Sequence, residues 1–136
     1  MKIYVIAYIA TGLVFLPIDA VWLAVSAERL YRPRIGEMLL DDFRLAPAAL
    51  FYLIYIAGIV TFAIAPSFAS DRWTTAASYG ALLGLFAYAT YDLTNQATLK
   101  NWPVIVTLAD LCWGTVLTAF AATAGFLIAR AAKTVF

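Results

Sequence analysis

The sequence predicts an all-α membrane protein: four transmembrane helices in one bundle, with a short amphipathic interfacial helix between helices 1 and 2. Two observations carry that reading. Of the 136 residues, 65% are hydrophobic and 12% charged, against roughly 45–50% apolar and about 25% charged in an average soluble domain. The apolar residues also fall into separate stretches, each long enough to cross about 30 Å of hydrocarbon at about 1.5 Å per residue. With a mean hydropathy of +0.89, lipid is the main solvent.

Helix 1 is expected over about residues 3–25. Ala24 and Ser26 have a cleavage-like spacing, but the apolar stretch is about twice the length of a signal-peptide core, which favours a spanning helix. Within about residues 34–44, Ile35, Met38, Leu39 and Phe43 take one side of a helix and Arg34, Glu37, Asp41 and Arg44 the other, the pattern of a helix lying among lipid headgroups. Helix 2, about 47–65, opens on Pro47, and Pro66 with Ser67 is expected to stop it. Helix 3, about 75–96, becomes more polar toward its end. Asn101, Trp102 and Pro103 then read as N-cap, interfacial aromatic and first-turn proline of helix 4, about 103–129. No linker or low-complexity tract divides the chain, so residues 1–136 form a single integral membrane domain.

Composition also narrows the chemistry. A net charge of +1 leaves no basic surface for nucleic acid. The single cysteine, Cys112, excludes an intrachain disulfide and reads as a small core residue. There is no histidine, so His-based general bases, haem ligation by His and most zinc sites are off the list. No motif calls for a cofactor or a metal.

The informative residues are three aspartates inside the spans. Four consecutive crossings bring the ends of helices 1 and 3 to the face where helices 2 and 4 begin. Asp19, Asp92 and Asp110 then lie at depths of roughly 6 to 11 Å from that one interface. An aspartate at mid-membrane costs on the order of 2.5–3.5 kcal/mol on insertion scales, so three of them should face one another or a hydrated cavity rather than lipid. With no buried cation in the spans, they would share a proton.

Tyr52, Tyr55, Thr94, Asn95 and Thr107 are partners within reach. The stripes Gly80, Gly84, Tyr88, Asp92, Asn95 in helix 3 and Thr107, Asp110, Gly114, Thr118, Ala121, Gly125 in helix 4 give each a small or polar face, as does Tyr52, Tyr55, Gly58, Thr61 in helix 2. Asp19-x-x-Trp22 and Asp110-x-x-Trp113 each set an indole one turn beyond a carboxylate. The ligand-binding set expected from sequence is therefore Asp19, Trp22, Tyr52, Tyr55, Tyr88, Asp92, Thr94, Asn95, Asp110 and Trp113, with Arg32, Arg34 and Lys100 placed to meet a headgroup or phosphate.

The combined run Asp19-x-x-Trp22, Phe51-Tyr52-x-x-Tyr55, Tyr88-Ala-Thr-Tyr-Asp92-Leu-Thr94-Asn95, Trp102-Pro103 and Asp110-x-x-Trp113-Gly114 resembles a family of small bacterial membrane proteins catalogued as domain of unknown function 2177. The resemblance implies a four-helix protein of the bacterial inner (cytoplasmic) membrane. It implies no established activity, and it inclines the reading toward lipid.

Three functions follow from these residues. The first is a protein that binds or acts on a lipid or other amphipathic ligand entering from this leaflet. The alternatives are an oligomeric proton- or cation-coupled transporter or channel, and an accessory or assembly subunit of a larger membrane complex. Membrane lipids are the expected partners, with a homo-oligomer or larger complex required by the alternatives. Whether the protein is an enzyme stays open, as does orientation: Arg29, Arg32, Arg34, Arg44 and Lys100 flank the acidic face, and Lys2, Arg72, Arg130, Lys133 and the terminal amine flank the other.

Overall fold

The computed structural model describes residues 1–135, and every regular element in it is helical. Helix α1 (Lys2–Ser26) runs without interruption into a π turn (Ala27–Tyr31), helix α2 (Arg32–Ile35) and a 3-10 turn (Gly36–Met38). Helix α3 (Leu45–Ile59) continues through a second π turn (Val60–Ile64) into α4 (Ala65–Ser70). Helices α5 (Trp73–Thr98) and α6 (Val104–Val135) complete the chain. Three of these segments, Lys2–Met38, Leu45–Ser70 and Val104–Lys133, are long and apolar enough to cross a membrane.

Two expectations fail for one physical reason. A proline in a helix lacks its N–H and drives its ring against the carbonyl four residues back, so Pro66 reads as a stop. A π turn just ahead of the proline widens the ring of hydrogen bonds and lets the helix pass. Each π turn ends two residues before a proline, Tyr31 before Pro33 and Ile64 before Pro66. The second segment therefore ends only at Asp71, whose left-handed backbone (φ 51°) cannot continue a helix.

The first segment likewise runs on to Met38, which displaces the predicted interfacial helix. Leu39 is extended (φ −86°, ψ 141°), and residues 39–44 form no helix. Asp41 and Asp42 favour turns over helix interiors, and of the presumed apolar face only Ile35 is buried, against Trp102 and Val106.

The start of α6 also differs from expectation. Asn101 takes a left-handed conformation (φ 60°), and Pro103 is the cap: its carbonyl accepts from the backbone N–H groups of Val106 (3.1 Å) and Thr107 (3.4 Å). Trp102 is buried instead of interfacial, its Nε1–H donating to Thr107 Oγ1 at 3.1 Å. Replacing Thr107 with valine keeps the shape and removes the acceptor. The expected loss is about 1–3 kcal/mol for a stranded buried indole N–H, read as a lowered unfolding midpoint in detergent. An unchanged midpoint would show that water reaches the indole.

The four segments close a ring in which α6 packs on α5 and α1, and the second π turn touches α5, α1 and α6. The inward face of α6 is the stripe Thr107, Asp110, Gly114, Thr118, Ala121 and Gly125, buried at every position. On the second segment Tyr55 points inward, but Thr61 is exposed because the π turn shifts the phase of the helix there. Cys112 faces outward, not into the core. At the closest point between α5 and α6, a Cβ added to Gly84 would lie 2.1 Å from the Gly114 carbonyl oxygen, so the backbones touch only because both residues lack side chains.

Candidate functional site

Asp19 sits two residues beyond Pro17 in α1 and is 5% exposed. The Tyr52 hydroxyl donates to its Oδ2 at 2.6 Å, and the Trp113 Nε1–H donates to its Oδ1 at 3.0 Å. One carboxylate thus ties α1 to α3 and α6. Asp110, also buried, accepts from the Tyr31 hydroxyl, which in turn accepts from Trp22 Nε1–H at 3.3 Å. The two Asp-x-x-Trp runs therefore interlock across the α1–α6 contact. Trp113 donates directly to Asp19, Trp22 reaches Asp110 through Tyr31, and the indoles stack with centroids 4.4 Å apart and planes 10° from parallel.

Asp92, on α5, has no exposed surface. Its carboxyl is a close neighbour of Asp110, yet neither of its oxygens receives a donor. Two ionised carboxylates have only acceptors to offer one another, so this contact becomes a hydrogen bond only with one proton between them.

Between these groups lies a cavity of about 380 Å³ lined by Asp19, Trp22, Leu23, Tyr31, Phe51, Tyr52, Ala87, Tyr88, Tyr91, Asp110 and Trp113. Its rim is open to the outside of the bundle at Leu23, Phe51 and Tyr91, all exposed. Aromatic rings make most of the wall, carboxylates mark one part of it, and no lysine or arginine contributes. Among the described residues, no three His, Cys, Asp or Glu side chains converge to hold a metal ion.

A family model described as a predicted membrane protein (DUF2177) matches residues 4–127. The chain belongs to this family. No curated protein and no solved structure matches the chain. The matched span includes every residue that lines the cavity of this DUF2177 protein.

Of the residues singled out in the sequence, the DUF2177 structure brings Asp19, Trp22, Tyr52, Tyr88, Asp110 and Trp113 to the cavity wall, with Asp92 against Asp110. It does not bring in the others. Tyr55 hydrogen-bonds Thr118 at 2.8 Å within the core, Thr94 is exposed with its hydroxyl turned back on the carbonyls of Thr90 and Tyr91, and Asn95 stands beside Tyr91. The three basic residues lie outside the cavity. Arg32 pairs with Glu28 at 2.9 Å, Arg34 donates to the carbonyls of Arg29 and Leu30 at 3.2 Å each, and Lys100 is exposed in the turn before α6.

Sequence reasoning missed Tyr31, the phenol that links Trp22 to Asp110. It sits in a polar stretch with no apolar periodicity, and only the π turn carries it back over the site. Phe51 and Tyr91, immediate neighbours of Tyr52 and Asp92, carried a weak signal by adjacency.

Proposed function

We propose that this protein crosses the bacterial inner membrane four times and holds a lipid or other amphipathic molecule in the aromatic cavity, its polar end at Asp19 and Asp110. The carrying observation is the cavity itself: an apolar, aromatic enclosure with an open rim and a few fixed polar groups is the usual form of a site for a small amphiphile. Leu23, Phe51 and Tyr91 line the cavity and are exposed, and in this reading a ligand enters past them from the bilayer.

The fourth crossing is α5. Its 26 residues exceed the roughly 20 that a span needs, and its polarity comes largely from hydroxyls satisfied within the helix. Ser78, Thr90 and Thr98 donate to the carbonyls four residues earlier at 2.9, 2.7 and 2.7 Å, which removes most of the cost of placing them near lipid. Asp92, its one charged residue, is the side chain that the bundle encloses completely.

Ala87→Trp tests the reading without touching a carboxylate, because Ala87 lines the cavity and an indole there fills it. Native mass spectrometry of protein released gently from its own membranes is expected to find a retained amphiphile on the wild type and none on the variant. Equal retention by both would place any bound lipid elsewhere on the surface and end this proposal.

A further inference from the structure

The cavity contains an imbalance of charge that its own residues do not correct. Asp19 and Asp110 stand in its wall, Asp92 backs Asp110, and no basic side chain lines it. The two ion pairs among the described residues, Arg32 with Glu28 and Arg130 with Asp71, are made elsewhere. Hydrogen bonds from Tyr52, Trp113 and Tyr31 orient the two wall carboxylates but carry no positive charge. One proton between Asp92 and Asp110 still leaves net negative charge in an enclosure walled by hydrocarbon and aromatic rings, where uncompensated charge is costly.

The remainder of the wall answers the same need. The stacked Trp22 and Trp113, with Tyr52, Tyr88 and Phe51, line the same cavity as the two carboxylates. Aromatic rings attract cations through their quadrupoles, and rings combined with carboxylates form the recurring enclosure for ammonium groups. A head with negative charge alone would meet like charge here. Asp92 adds to this balance from behind Asp110, a fully buried side chain whose oxygens receive no donor from the chain.

We infer that the polar end of the ligand is an ammonium group, seated between Asp19 and Asp110 against the Trp22–Trp113 stack, so that the preferred amphiphile is a lipid with an amine headgroup. This rests on the reading of the cavity as an amphiphile site and gives that ligand its charge. The basic residues Arg32 and Arg34, which sequence alone put on a phosphate, then lie outside the seat and leave the cation uncontested.

The experiment offers the purified protein, in maltoside micelles, equimolar phosphatidylethanolamine and phosphatidylglycerol with identical acyl chains, and counts the adducts by native mass spectrometry. Both lipids carry a phosphate and only the first an ammonium. Wild type is expected to prefer the ethanolamine lipid by about tenfold, and Asp110→Asn or Asp19→Asn to bring the ratio to about one. Equal or preferential retention of the glycerol lipid by the wild type overturns the inference without recourse to any variant, while leaving an amphiphile in the cavity. Displacement of the bound ethanolamine lipid by free phosphoethanolamine, with none by glycerol phosphate, would uphold the ammonium seat, and displacement by both or by neither would overturn it.

Discussion

Gly84→Ala is expected to destabilise the protein by about 2–3 kcal/mol, while Gly58→Ala, the same chemical change, is expected to stabilise it by about 0.5–1 kcal/mol. At both positions alanine improves helix propensity and restricts the unfolded chain. The difference lies in what the new methyl meets. At Gly58 nothing stands within 4 Å of it, whereas at Gly84 it lands 2.1 Å from the Gly114 carbonyl oxygen and 2.8 Å from Thr118 Oγ1.

A backbone carbonyl cannot rotate aside, so α5 and α6 must separate by more than an ångström at their closest point. The separation spreads to the site, because the Tyr88 ring rests over Gly114 at a distance that only a glycine permits, a Cβ there falling 2.2 Å from the ring. Tyr88 is part of the cavity wall, and Gly84→Ala should therefore reduce ligand retention along with stability. Thermal unfolding in detergent, followed by circular dichroism, reads both variants. If they shift the midpoint in the same direction, the close approach of α5 to α6 is not what holds this pair together.

How much of this was legible in the sequence depended on whether periodicity or geometry carried the information. The inward stripe of α6 from Thr107 to Gly125 followed from steps of three and four, and it is buried at every position. The proximity of Asp19, Asp92 and Asp110 followed from counting residues along antiparallel segments. Two π turns broke that counting. Each adds about one residue to a turn, which rotates everything beyond it, moves Thr61 to the surface, lets the helix pass Pro66 and brings Tyr31 over Asp110.

No spacing in the sequence announces an inserted residue. The proline that follows each π turn is the only mark it leaves, and that mark reads first as a helix stop. The basic residues are a different case, because nearness along the chain does not say which way a long, flexible side chain turns, and Arg32 turns to Glu28.

Asp110→Ala is expected to cost about 1–3 kcal/mol, the range for stranding a buried hydrogen-bonding group, and Asp92→Asn less than about 1 kcal/mol. Asp110 is the hinge of the network: its loss leaves the Tyr31 hydroxyl without its acceptor and Asp92 without any neighbour that could share a proton. Asparagine at position 92 does the opposite. Its amide supplies the N–H that a carboxylate facing Asp110 lacks, so the contact persists with the proton replaced by a fixed donor. The same logic gives a spectroscopic signature, since a proton held between the two carboxyls places a protonated-acid stretch in the infrared spectrum of the wild type, and Asp92→Asn should remove it. Should Asp92→Asn prove as damaging as Asp110→Ala, the requirement at position 92 would be for negative charge instead of a hydrogen bond, and the ligand's cation would then have to balance a full charge on each of the three aspartates.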